Sequence, residues 1–195
     1  MVFGANSEIV AMSRGVTVQA LGGTGGLKLG ADFLRKFAPG AQVWISDPSW
    51  ENHRALFEGA GFVVNTYPYY APATHGLDFD GMRGALEKLP AGCDRRAACV
   101  LPQPDGRRPS AEQWTTIIDI VRSRGIIPFL DIAYQGFADG IDADGGAVRP
   151  LRRDARPTVR LDFVLEIILA LWRTHRRAVR RDDRQRRGGA RAITS

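Results

Sequence analysis

Between Ser110 and Ile132 the chain spells out a helix and a strand with every boundary marked, and this pair limits the possible fold more than any other stretch. Ser110-Ala-Glu-Gln113 is a capping box, in which the serine hydroxyl accepts from a free backbone N–H and the glutamine bonds back to the serine N–H. The helix runs to Arg124, Gly125 supplies its C-terminal stop, and Ile126 to Ile132 follows as a nearly unbroken apolar run. A strand apolar on both faces must be covered on both, as inside a parallel sheet layered between helices. Other segments repeat this grammar. Residues 22 to 37 read as a glycine-rich turn entering a helix with Leu27, Ala31, Leu34 and Phe37 on one stripe, stopped by Pro39-Gly40. Gln42 to Ser46 is a predicted strand, Glu51 to Ala60 a helix closed by Gly61, Phe62 to Tyr67 a strand, and Asp78 to Leu89 a helix ended by Pro90. Strands alternating with helices define an α/β fold with a mostly parallel sheet.

Composition removes several classes. With 44% hydrophobic and 25% charged residues over 195 positions, the chain is neither collagen-like nor disordered throughout. Two cysteines, Cys93 and Cys99, are too few for a secreted disulfide framework and point to a reducing compartment. The start, Met1-Val-Phe-Gly-Ala, lacks a basic segment followed by an apolar one, so no signal peptide is expected. The longest apolar run, Val164 to Trp172, is broken by Glu166 and is too short to span a bilayer. The net charge of +6 is unevenly held: from Arg149 onward there are 14 arginines and five acids, whereas residues 1 to 148 are net negative. Basicity, the usual pointer to nucleic acid or membrane, therefore belongs only to the tail.

Two stretches break the pattern. Cys93 to Arg108 falls where a core strand is due but holds four arginines and two prolines, which oppose a central strand. From Pro150 the chain turns to an apolar stretch, Leu161 to Trp172, and then to the arginine-rich Arg173 to Arg191. This tail is expected to be disordered or helical.

Three places could carry chemistry. The glycine-rich turn Gly22 to Gly26, with Gly23 and Thr24, offers free N–H groups and a helix dipole to an anion; the alternative is a plain tight turn. Trp50, in Asp47-Pro48-Ser49-Trp50-Glu51-Asn52-His53, lies just past a strand end, where ligands of α/β sheets bind, or else packs as a buried aromatic over the sheet edge. Asp131 is an acid carried by an apolar strand to the carboxyl edge, followed by Tyr134; it needs a partner, or it serves as a turn acid. His53, His75 and His175 are scattered and the cysteines are not at zinc spacing, so no metal site is expected.

Taken together, V-Q-A-L-G-G-T-G-G-L-K at 18 to 28, S-D-P-S-W-E-N-H at 46 to 53 and P-F-L-D-I-A-Y-Q-G-F at 128 to 137 closely resemble the large domain of the aspartate/aromatic aminotransferases, fold type I pyridoxal-phosphate enzymes. F-E-G-A-G-F and Y-P-Y-Y look most like the bacterial aromatic-amino-acid branch. The resemblance covers roughly residues 2 to 92 and 109 to 149. It implies that Gly23 and Thr24 hold the phosphate of pyridoxal 5'-phosphate, Trp50 stacks on the ring, Asp131 pairs with the ring nitrogen, and Tyr134 bonds the phenolic oxygen. It also implies amino-group transfer between an aromatic or acidic amino acid and a 2-oxo acid, in a cytoplasmic homodimer, through a Schiff-base lysine.

Two family motifs are missing. H-x-C-C-H-N-P-T-G would fall near residue 103, where Gln103 and Pro104 stand, and S-x-S-K in the tail has no counterpart, since no lysine follows Lys88. No catalytic residue is therefore assigned. Both gaps coincide with the stretches that break the pattern. A permitted back-translation of Cys93 to Pro109, regrouped one base over, reads A-T-V-V-L-H-A-C-C-H-N-P-T-G-V-D-P. The same operation on Leu161 to Thr174 gives S-T-S-F-S-K-S-F-S-L-Y-G-E, with the lysine codon straddling Glu166 and Ile167. The expected organisation is a partial cofactor-binding large domain over 1 to 149 and a frame-shifted tail over 150 to 195, the chain being inactive. The rival reading of the tail is an arginine-rich arm for nucleic acid or acidic surfaces; steeply salt-dependent RNA binding, lost on cutting after Arg149, would distinguish it.

Overall fold

The computed structural model describes residues 16–90, 97–102, 109–132, 140, 158–162 and 166–170. In chain order these form β1 (Val16–Val18), α1 (Gly22–Phe37), β2 (Gln42–Asp47), α2 (Glu51–Gly59), β3 (Val63–Pro68), a small β4–β5 hairpin (Tyr70–Ala71 and Gly76–Leu77), α3 (Phe79–Lys88), β6 (Ala97–Pro102), α4 (Ala111–Arg124), β7 (Ile127–Ile132), β8 (Thr158–Asp162) and β9 (Glu166–Ala170). The main sheet has the order β1-β9-β8-β7-β6-β2-β3. From β8 to β3 all neighbours are parallel, and β9 alone runs against both β8 and β1.

Local chemistry sets the element ends. Ser110 accepts from Gln113 N and its own N–H reaches Gln113 Oε1, so both halves of the capping box form. Gly125 closes α4 at φ 68°, a left-handed conformation natural to glycine. Asp78 caps α3 by accepting from Gly81 N. Strand alternation then sorts the side chains into two layers. Leu27, Ala31 and Leu34 of α1 and Phe57 of α2 pack on one face with Val43, Ile45, Ala98, Val100 and Phe129. Met82 and Leu86 of α3 and Trp114, Ile117, Ile118 and Val121 of α4 cover the other with Tyr67, Cys99, Leu101 and Leu130.

The structure corrects two expectations. Residues 93 to 108 were expected to oppose a central strand, yet Ala97–Pro102 is one, paired with β2 and β7 and with Ala97 to Leu101 buried. All four arginines fall outside those six residues, and Pro102 sits at the strand's end. Within the tail expected to be disordered or helical, Thr158–Asp162 and Glu166–Ala170 are strands of the main sheet, because β8 continues the parallel array beside β7. Cys93, Tyr134 and the arginine-rich Arg173 to Arg191 lie outside the described residues.

A cluster on the α3–α4 face makes stability pH-dependent. The Tyr67 hydroxyl is buried and donates to Val100 O at 2.7 Å. Burial, with Cys99 and Tyr69 beside it, raises its pKa well above the ordinary 10.0. Burial also pushes the Cys99 thiol from 9.0 up to about 12, and Tyr69 from 10.0 up to about 12. An unfolded chain loses these protons first, so their contribution is complete below about pH 9 and is lost as pH rises toward 12. The thermal midpoint is expected to fall steadily from pH 8.5 to 11, and Tyr67→Phe is expected to flatten part of that fall; a flat profile for the unaltered chain contradicts this.

Candidate functional site

Strand direction gathers the candidate residues at one edge. Counting from β7, β8 is parallel, β9 reverses and β1 reverses again, so β1 runs with β7 and delivers α1 at the carboxyl edge. The glycine-rich segment is itself the first turn of α1 rather than a separate turn before it. Gly22 takes φ 60°, which only glycine adopts freely. No side chain caps this helix, no acid stands in its first turn, and the first intrahelical acceptor, Leu21 O, is taken by Gly25 N. Among the described residues, the N–H groups of Gly22, Gly23 and Thr24 are therefore left for an external anion, at the positive end of the dipole.

Trp50 follows the end of β2 and is the N-cap of α2; 42% of it is exposed, so the alternative of a buried edge aromatic does not hold. Its ring stands edge-on to His53, with centroids 5.7 Å apart. Asp131, next to last in β7, shares the face of Ile127 and Phe129, the side on which α1 and α2 lie. His53, in the first turn of α2, reaches it: Nε2 is 2.8 Å from Asp131 Oδ2, while Nδ1 is 2.7 Å from Ser49 Oγ. An ionised carboxylate only accepts, so His53 donates from Nε2, and a neutral imidazole in that tautomer accepts from the Ser49 hydroxyl at Nδ1. The imidazole is 2% exposed and its geometry is fixed from both sides.

Asp131 thus has one satisfied oxygen. Its other oxygen, Oδ1, is buried without a hydrogen-bond donor among the described residues. A buried carboxylate oxygen left in that state is costly, and a cationic N–H donor is the partner that relieves it. The edge therefore presents an anion cradle, an exposed aromatic face and a carboxylate oriented from behind. Those features fit a phosphorylated, protonatable heteroaromatic ring. Gly23, Thr24, Trp50 and Asp131 are brought to the same edge, whereas Tyr134 lies outside the described residues. Sequence reading missed His53 and Ser49; the i, i+4 spacing of the two was the available signal.

These features define an α/β protein with a parallel sheet and a candidate ligand site at its carboxyl edge. Residues 2–160 match the family model for aminotransferase class I and II, and the chain belongs to that family. It is 44% identical over 162 residues to the aromatic-amino-acid aminotransferase of Escherichia coli K12, covering 82% of this chain and 40% of that protein. Against the aspartate aminotransferase of Pseudomonas aeruginosa it is 50% identical over 149 residues, covering 76% of this chain and 37% of that protein. The solved aromatic amino acid aminotransferase of Burkholderia cenocepacia superposes with a TM-score of 0.82 at 43% identity, covering 96% of this chain and 49% of that one. The one from Burkholderia pseudomallei, solved covalently bound to pyridoxal phosphate, gives 0.81 at 41% identity, covering 95% and 49%. The chain spans about 40% of the length of these curated relatives and half that of the solved ones. Among the described residues no helix is long and apolar enough to cross a membrane.

Proposed function

We propose that this chain is the cofactor-holding part of a pyridoxal-phosphate-dependent aminotransferase for an aromatic or acidic amino acid and a 2-oxo acid, and that as written it does not turn over. The observation that carries the first half is Asp131 Oδ1, buried without a donor among the described residues at the same edge as the N–H groups that open α1. Pyridoxal phosphate, when bound, supplies an electron sink for bonds at the amino acid's α carbon. Gly23 and Thr24 bind its phosphate, the Trp50 ring excludes water from one face, and Asp131 keeps the ring nitrogen protonated. His53 holds that carboxylate in position and Ser49 fixes the His53 tautomer. Tyr134 is assigned to the phenolic oxygen from the family resemblance.

The second half rests on the lysines, which are Lys28, Lys36 and Lys88 and no others. The frame-shift account of residues 93 to 108 and 150 to 195 explains why. The place where the regrouped codons put lysine, Glu166 and Ile167, opens β9 across from Asp162, and Asp162 pairs with the residue after Asp131. A lysine there would stand at the same carboxyl edge. A cytoplasmic homodimer belongs to the same proposal.

The purified chain, supplied with pyridoxal phosphate, is expected to show no transamination of tyrosine or aspartate and no stoichiometric borohydride-fixed cofactor; appreciable turnover would overturn the inactive reading. Sequencing the gene from the Lys88 codon past Ser195 tests the frame account, which a confirmed present frame refutes.

A further inference from the structure

We infer that this chain binds phosphorylated 3-hydroxypyridines as a class, reversibly and with little regard to the group at the ring's 4' carbon. This rests on the cofactor reading above. Every described contact available to such a ligand is to its phosphate, its ring face or its ring nitrogen, through the α1 N-terminus, Trp50 and Asp131. None distinguishes an aldehyde from an alcohol or an amine.

An aldehyde gains over the other two only by condensing with an amine, with loss of water, and the chain's lysines stand elsewhere. Lys28 lies in the second turn of α1, tied to Asp32 one turn further from the edge. Lys36 is in the last turn of α1 and Lys88 ends α3, and helices that return against parallel strands place those ends at the opposite, amino edge. At the carboxyl edge beside Asp131, the residues that close β8 and open β9 are Asp162 and Glu166, acids rather than amines. A site that in its relatives would choose by covalent attachment is left choosing by ring and phosphate alone.

Equilibrium dialysis of the full chain against pyridoxal phosphate, pyridoxamine phosphate and pyridoxine phosphate tests this. The three dissociation constants are expected within about fivefold of one another. Asp131→Asn, which keeps the shape of the side chain, and Trp50→Ala, at an exposed position, are each expected to weaken all three in parallel. The aldehyde binding 50-fold more tightly, with an adduct away from Lys28, Lys36 and Lys88, would overturn the inference and leave the cofactor reading standing. Absence of binding by all three, or binding that neither variant weakens, would remove the cofactor reading and the inference with it.

Discussion

Replacing Asp131 by alanine is expected to weaken binding of pyridoxine phosphate by at least about 30-fold. Among the described residues, Asp131 is a carboxylate at the carboxyl edge that is held from behind by His53 and has a buried oxygen, Oδ1, short of a donor. His53 Nε2 occupies Oδ2 at 2.8 Å, leaving Oδ1 for the ligand. Removing one partner of a buried charge pair costs about 2–5 kcal/mol, of which 2 already amounts to 30-fold. Truncation also strands the His53 proton in a site only 2% exposed, so the variant's fold is checked by circular dichroism alongside binding. Asp131→Asn retains an acceptor for His53 and removes only the charge, and is expected to fall between the two. Dialysis constants for Asp131→Ala equal to those of the unaltered chain would contradict the assignment.

Phe129→Ala is expected to cost about 3–5 kcal/mol, a large share of the stability of a domain whose whole stability is about 5–15 kcal/mol. Phe129 is fully buried in the middle of β7 and meets Phe57 of α2 edge-on at 5.0 Å between centroids. The cavity left by alanine would lie between α2 and the strand that carries Asp131, so the His53–Asp131 contact should loosen with it. Urea denaturation followed by tryptophan fluorescence measures the loss. Trp50→Ala, at an exposed position, serves as the comparison and is expected to shift stability by about 0.5 kcal/mol or less. A loss below 1 kcal/mol for Phe129→Ala would mean that this layer is not the core.

What could be read beforehand follows how local each signal is. The α4–β7 unit was legible because Ser110, Gln113, Gly125 and the apolar run each state their role within a few residues, and all formed as expected. The carboxyl-edge positions of Trp50 and Asp131 followed from strand ends for the same reason. The His53–Asp131 contact was not legible, because 78 residues separate the pair and only the packing of α2 against the sheet joins them. Ala97–Pro102 was missed because its apolar residues are flanked by arginine pairs, and composition over the longer stretch averaged the strand away. β8 and β9 were obscured similarly, by a tail whose arginines dominate its composition while pairing partners far back in the chain decide its structure.

The central claim is that Asp131 receives the ring nitrogen of a phosphorylated pyridine ligand. Nitrogen-15 NMR of ring-labelled pyridoxine phosphate bound to the chain tests it most directly, titrated from pH 6 to 9. The expected result is a nitrogen that stays protonated across that range in the unaltered chain and loses its proton in Asp131→Asn. A bound nitrogen that titrates as it does in free solution, or identically in both chains, would contradict the claim.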